Sequence, residues 1–209
     1  MNSTDYLKYI TDEIHTVIVA TVDDEGHPVT AAIDMMDSDE SGLYFLTARG
    51  KSFYDRLIKR QYLAFTALKG ETTMTSLAVS VRGKVRELGS DRIPGLFEKN
   101  PYMYEIYPTE ESRKALTVFH IYEGTGEWFD LSKKPIERDT FRFGTSDDEQ
   151  QAQEGYFITD ACIGCGSCLK VCPQKCISSE TTPYIIEQNH CLHCGNCLEV
   201  CPVDAVIRK

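Results

Sequence analysis

Hydrophobic and polar positions follow two periods along the first 131 residues of this chain, and a third pattern, set by cysteine, takes over near its end. Tyr6, Leu7, Ile10 and Ile14 recur at helical spacing. They predict an amphipathic helix over residues 3–15, with Ser3 or Thr4 as its cap. The period then drops to two. A β-branched run over Thr16–Val22, a turn at residues 23–27, alternation over 29–35, a second turn at 37–42 and a strand over 43–47 read as hairpin-linked antiparallel strands. A helix at Ser52–Arg60 carries Phe53, Leu57 and Ile58 inward. Strands follow at 62–68 and 77–88, a helix at 91–99, and strands at 116–123 and 127–131. About six antiparallel strands with two or three helices suit a small barrel or a sandwich, and pattern alone does not choose between them.

Composition divides the chain. Of 209 residues and a net charge of −10, residues 155–209 hold five acids, four bases and every cysteine, leaving −9 to residues 1–154. Such a break predicts two domains, at 1–144 and 156–209. The stretch 145–155 has no large apolar residue and no base, and reads as an acidic linker. The acidic balance argues against a phosphate-backbone partner, so no nucleic acid is expected. No apolar run reaches 18 residues, so no membrane span is expected either. The first residues are polar and unlike a secretory signal, which points to the cytoplasm.

Eight of the nine cysteines form two copies of C-x2-C-x2-C-x3-C-P. This run holds a [4Fe-4S] cube: three close cysteines supply three ligands and, in two-cluster ferredoxins, the fourth serves the other cluster. One cluster is therefore assigned to Cys162, Cys165, Cys168 and Cys201, and the other to Cys191, Cys194, Cys197 and Cys172. Disulfides suit neither a reducing compartment nor cysteines three apart with glycine between them, and zinc sites use other spacings. The copies are offset by 29 residues, so Gly166 maps to Gly195, Leu169 to Leu198 and Ile177 to Val206. A pseudo-symmetric unit follows, each half burying its apolar side on the other. Cys176, the ninth, maps to Ala205 and reads as a small buried packing site, with a spare ligand or redox thiol as the alternative. His193 reads as a loop residue beside a cluster. His15, His27 and His120 read as turn or core residues, and no acid/base pair stands out.

The segment order of the front part is similar to the pyridoxamine 5′-phosphate oxidase-like family of FMN-binding split barrels. The residues that carry the resemblance are the hairpin from Thr16 to Met35, the run Leu43 to Ser52, the strand from Tyr62, and Val79 to Val85. The resemblance implies a mainly β fold with helices: a six-stranded antiparallel split β-barrel of FMN-binding type, followed by a small α+β ferredoxin-like two-cluster domain. It implies FMN at a homodimer interface, with Thr30, Ala31, Ala32 and Ile33 along the flavin ring and Leu46 and Thr47 at its border. Lys51 and Ser52 would hold the phosphate. The residues themselves agree, because a strand running into a helix start beside Arg49 and Lys51 is an anion site. Their alternative is a capping-box-like start at Ser52 and Asp55 with solvated charges. Trp128, the only tryptophan, is a stacking candidate or a core aromatic. Ala31 and Ala78 stand where the oxidases proper carry Arg and Gln, and their closing Arg-Leu-x-Pro is missing, which points away from vitamin oxidation itself. The expected function is electron transfer between FMN, two [4Fe-4S] clusters and a redox partner protein or small-molecule donor or acceptor. The alternatives are a non-catalytic carrier whose barrel serves dimerisation and docking, and a flavin oxidase with a structural tail.

Overall fold

The computed structural model describes residues 1–144 and 154–209. Most of the acidic linker expected at 145–155 lies outside the described residues. The described chain forms two compact units. One holds residues 1–70, 78–128 and 140–144; the other holds 71–77, 129–139 and 154–209. Two segments that composition alone would leave with the front half thus group with the cysteines.

The first unit is a six-stranded antiparallel barrel with one extra strand. Its strands are β1 (Thr16–Val22), β2 (Pro28–Asp39), β3 (Gly42–Ala48), β4 (Tyr62–Lys69), β5 (Leu77–Gly89) and β6 (Leu116–Asp130). They lie in the order β3-β2-β1-β4-β5-β6, and β3 pairing with β6 closes the ring; β7 (Glu137–Phe143) adds to β6. Closure settles the choice between barrel and sandwich, because it requires a long-range β3–β6 pairing that local pattern cannot reveal. Alternation then fills the interior: Val17, Val19, Met35, Phe45, Phe65 and Phe119 are all buried. A second apolar layer lies outside β3. There α3 (Ile93–Lys99) and α4 (Met103–Ile106) pack Ile93, Leu96, Phe97 and Met103 over Met36, Tyr44, Leu116 and Val118.

Three local expectations change. The first helix is α1 (Ser3–Tyr9), capped by Asn2 rather than Ser3 or Thr4; Asn2 and Asp5 exchange side-chain and backbone hydrogen bonds. It continues as a π-turn, Ile10–Ile14, and ends at His15 with φ 66° and ψ −65°. Strands expected at 116–123 and 127–131 are one strand. Gly124 and Gly126 lie in the gap between the two expected strands, and each leaves room for an aromatic: a Cβ would lie 2.8 Å from Phe143 Cζ or 2.1 Å from Phe141 Cζ. These phenylalanines sit on β7, a strand that the alternation did not single out.

In the second unit the 29-residue repeat appears as structure. β8 (Tyr156–Ile158) pairs with β11 (Val206–Arg208), and β9 (Ile177–Ser178) with β10 (Ile185–Ile186). Each pair joins the first strand of one repeat to the second strand of the other. Helices α6 (Ser167–Val171) and α7 (Asn196–Glu199) occupy equivalent places. Left-handed residues repeat as well: Gly164 and His193, Gly166 and Gly195, Lys175 and Asp204. His193 therefore adopts, with a side chain, a conformation its counterpart reaches as glycine.

Candidate functional site

The interlocked repeats place cysteines from both runs around shared spaces. One cavity is lined by Cys162, Cys165, Cys168 and Cys201, with Ile158, Tyr184 and Val206 among its walls. The other is lined by Cys191, Cys194, Cys197 and Cys172, with Cys176, Tyr156 and Ile186. In each, three cysteines come from one run and the fourth from the other, because the strand pairing carries each Cys-Pro end across the pseudo-symmetry. The thiols ring a space rather than a point, as a cube with iron at four alternate corners needs. Among the described residues no three His, Cys, Asp or Glu stand as they would around a single ion.

Sulfur chemistry differs from thiol to thiol. Burial pushes the Cys168 thiol up and the Cys197 thiol up to about 11. A hydrogen bond with Ser167 holds Cys165 below the ordinary thiol range. Cys176, hydrogen-bonded to Cys191 and buried, is pushed up and keeps its proton, while Cys191 is pushed down by that same bond. Backbone N–H groups also approach sulfur, from His193 to Cys191 Sγ at 3.4 Å and from Ala205 to Cys201 Sγ at 3.2 Å. Iron takes thiolates, so loading these sites releases protons. The donor set fits two cubanes.

In the barrel, β2 and β3 separate. They pair only through Met35↔Phe45, Asp37↔Tyr44, Ser38↔Leu43 and Asp39↔Gly42, with a register shift between Met35 and Asp37. The extra residue bends β2 away. Beyond it, Thr30, Ala31, Ala32 and Ile33 pair with β1 on one side, at Ala20, Val19, Ile18 and Val17, and among the described residues β2 has no other neighbour there. Leu46, Thr47 and Ala48 pair with β6 alone. The predicted ring-lining residues therefore border both sides of one split, with main-chain edges open. Thr30 and Ala32 are exposed, and Ala31 and Ile33 half-buried. Leu46 packs on the outer apolar layer. Thr47 faces the other way and is buried, and its hydroxyl has no hydrogen-bond partner among the described residues. An orphaned buried hydroxyl is costly and suits a polar ligand.

The basic residues divide. Lys51 is the N-cap of α2 (Ser52–Arg60), with no side-chain cap, so Ser52 does not form the alternative capping box with Asp55. Lys51 and Ser52 are exposed, and the first-turn N–H groups point at an uncapped end. Arg49 is committed elsewhere: Nε lies 3.5 Å from Glu87 Oε1, and it donates to the Lys114 carbonyl at 3.1 Å. Glu87 also accepts from Thr117 at 2.6 Å and Tyr54 at 3.2 Å. Trp128 is apart from these. It is buried against Tyr6 and Tyr9, with ring centroids at 5.3 and 5.0 Å, twelve residues along β6 from the Leu116 that pairs with Ala48. It is a core aromatic of this unit.

Two groupings escaped the sequence. Tyr102 donates to Asp34 Oδ2 at 2.7 Å and contacts His15 Nε2 at 2.9 Å, while Thr16 donates to the other Asp34 oxygen at 2.6 Å. Burial, then Asp34, pushes the Tyr102 hydroxyl up. Asp34 follows directly on the Thr30–Ile33 edge; only the β1–β2 register and the placing of residue 102 by α4 bring the four together. In the second unit, Ile136 is gripped by Gln174, whose Oε1 accepts from its N–H at 3.5 Å, and by His190 Nδ1–H, which donates to its carbonyl at 2.8 Å. His120 and His27 lie where expected. His120 is buried and stacked on Tyr44 at 4.4 Å, and His27 is in the turn after β1.

Comparison with known proteins agrees with this geometry. The family model described as pyridoxamine 5′-phosphate oxidase matches residues 3–134, and that described as 4Fe-4S dicluster domain matches residues 161–205. A pyridoxine/pyridoxamine 5′-phosphate oxidase of Mycolicibacterium gilvum (strain PYR-GCK) is 25% identical over 130 residues, 59% of this chain and 58% of that one. A ferredoxin of Acetivibrio thermocellus is 53% identical over 32 residues, 15% of this chain and 58% of that one. The chain thus spans under two thirds of each of these relatives. Among solved structures, a nimc/nima family protein from Clostridium acetobutylicum superposes with a TM-score of 0.56 at 15% identity, covering 66% of this chain and 90% of that one, which supports the barrel fold. With the model matched over more than half its length, and the dicluster match coinciding with the two four-cysteine cavities, the chain belongs to the pyridoxamine 5′-phosphate oxidase family and carries a 4Fe-4S dicluster domain behind its barrel.

Proposed function

We propose that the protein is a flavin–iron–sulfur oxidoreductase that exchanges electrons between FMN in the split barrel, two [4Fe-4S] clusters and a redox partner. The carrying observation is that one chain joins two four-cysteine cavities to an opened β2–β3 edge with an orphaned hydroxyl. FMN supplies the exchange between two-electron and one-electron transfer, and the clusters supply one-electron carriage. The assigned ligands are Cys162, Cys165, Cys168 and Cys201 for one cluster, and Cys191, Cys194, Cys197 and Cys172 for the other. The open main-chain edges of Thr30–Ile33 and Leu46–Thr47 orient a planar ring by hydrogen bonding, and Thr47 offers the buried hydroxyl. Lys51 and the uncapped start of α2 hold the phosphate dianion. Arg49, already neutralised by Glu87, contributes less.

The site is completed by a second copy. Ile18 pairs opposite both Ala32 and Thr66, so these share the outer face of the sheet, where Ile18 is 52% exposed. Such a small, apolar, unpartnered sheet face beside the split suits a homodimer. A second reading, an electron carrier whose barrel only dimerises and docks, is favoured by one observation: Arg49 is tied down rather than offered. The visible spectrum of protein purified without air separates the two. Flavin bands over the broad cluster absorption support the first; their absence after FMN addition supports the second. Electron exchange itself is tested by rapid anaerobic reduction of full-length chains with a one-electron donor. Replacing Cys194 by Ser should slow flavin reduction while FMN remains bound, and an unchanged rate would remove the clusters from the route.

A further inference from the structure

The two halves of the cysteine unit share spacing, strand pairing and left-handed positions, and one site breaks the match. After the equivalent left-handed residues Lys175 (φ 54°) and Asp204 (φ 50°), one half places Cys176 and the other Ala205. Both are buried, at 4% and 1% exposure. Ala205 shows that this position needs no sulfur to pack. Cys176 Sγ nevertheless stands 3.6 Å from Cys172 Sγ, and Cys191 lines the same cavity. It is the fifth thiol lining a cavity that already has four.

We propose that Cys176 is a positioning residue for one cluster only: a buried S–H donor to the sulfur of Cys172 that raises the reduction potential of the cluster that Cys172 and Cys191 hold. A cube has four irons, and the four cysteines of this cavity satisfy them, so the fifth sulfur keeps its proton and points it at ligand sulfur. Reduction adds one electron to the cluster and puts more negative charge on its ligand sulfurs. A donor aimed at one of them stabilises the reduced form more than the oxidised form. Burial keeps water from replacing that donor or screening it. An S–H group is a weak donor, so the shift is smaller than a backbone amide gives. The other cavity has its own side-chain contact: Cys165 Sγ donates to Ser167 Oγ at 3.5 Å, where the second repeat has Asn196, and this hydroxyl would donate in turn to a Cys165 thiolate. The inference therefore concerns the shift that Cys176 causes, not which cluster has the higher potential.

This rests on the two-cluster reading, and the test separates the two. Iron and acid-labile sulfide are first counted on the full chain, reconstituted without air; about eight irons per chain are expected from two cubanes. Four or fewer in the unaltered chain would overturn the cluster reading itself. Redox titration followed by electron paramagnetic resonance then gives two midpoints. Cys176→Ala should keep all the iron, lower one midpoint and leave the other in place. Cys176→Ser, which keeps a donor, should restore most of the shift, and Ala205→Cys should raise the midpoint that Cys176→Ala left unmoved. Unchanged midpoints, equal movement of both, or loss of half the iron in Cys176→Ala would overturn the inference. If Cys176→Ala fails to assemble, Cys176→Ser and Ala205→Cys decide it by the same readout.

Discussion

Replacing Thr47 by Val separates what the barrel needs from what its ligand needs. The side chain is buried at 3% exposure, and its hydroxyl has no hydrogen-bond partner among the described residues. Leaving a buried hydroxyl unpaired costs about 1–3 kcal/mol in proteins. Valine keeps the branched shape, suits a strand and removes the cost. Without FMN, Thr47→Val should therefore stabilise the first unit by about 1–3 kcal/mol, raising its midpoint roughly 2–4 °C per kcal/mol. Trp128 is the only tryptophan and is buried in this unit, so its fluorescence follows the unit's transition. FMN affinity should move the other way. Loss of one neutral hydrogen bond removes about 0.5–1.5 kcal/mol, a roughly 2- to 13-fold rise in Kd. Calorimetric titration of FMN into the two proteins measures it. A variant less stable than the parent by more than 1 kcal/mol without FMN would mean that the hydroxyl already has a good partner, and the orphan argument would be wrong. A more stable variant with unchanged Kd would detach Thr47 from the flavin site.

Three further outcomes follow from particular contacts. Lys51→Glu should weaken FMN binding by about 1–3 kcal/mol, the scale of a charge-assisted hydrogen bond, while Glu87→Gln, which releases Arg49, should strengthen it; equal affinities in both would move the phosphate elsewhere. His120 donates from Nε2 to the Ser41 carbonyl at 2.9 Å, and its Nδ1 faces Arg86 at 3.4 Å; burial first, with Arg86 adding to it, lowers its pKa below the ordinary 6.5. The unfolded chain then binds the proton more readily, so this stability is complete above pH 6.5 and is lost as pH falls below it. Denaturant unfolding by Trp128 fluorescence should show the loss, and His120→Gln should flatten it. Gly195 has φ 80°, and a Cβ there would lie 2.9 Å from Tyr156 Oη, so Gly195→Ala should cost about 1–2 kcal/mol and lower the iron content; full loading would show that the loop tolerates a side chain.

The cysteine runs needed no structure to be read. Their spacing encodes a local loop with three ligands, and the doubling encodes a partner for the fourth, so the lining of both cavities was legible in sequence. The strands of the barrel were legible too, because each buries one face and alternation records it: Val17 and Val19 go inward, and Ile18 outward. The α1 cap was missed by one residue because Ser, Thr and Asn all serve, and only the actual hydrogen bond distinguishes them. The single long β6 was missed because Gly124 and Gly126 have two meanings, a break or a seat for a neighbouring ring, and the neighbour lies on a later strand.

Sequence by itself determined the chemistry that depends on short separations: eight thiols at iron–sulfur spacing, a 29-residue repeat, and a barrel-type succession of hairpins. Tertiary structure alone decided everything that joins distant segments. It closed β3 on β6, opened the split at the Met35–Asp37 irregularity, tied Arg49 to Glu87 and left the Thr47 hydroxyl without a partner among the described residues. It also set Cys176 beside Cys172 and Cys191 while Ala205 fills the equivalent place. The reason is physical. A hydrogen bond or a charge pair is fixed by distance in space, and a linear pattern records distance only while the chain between two residues is short and regular.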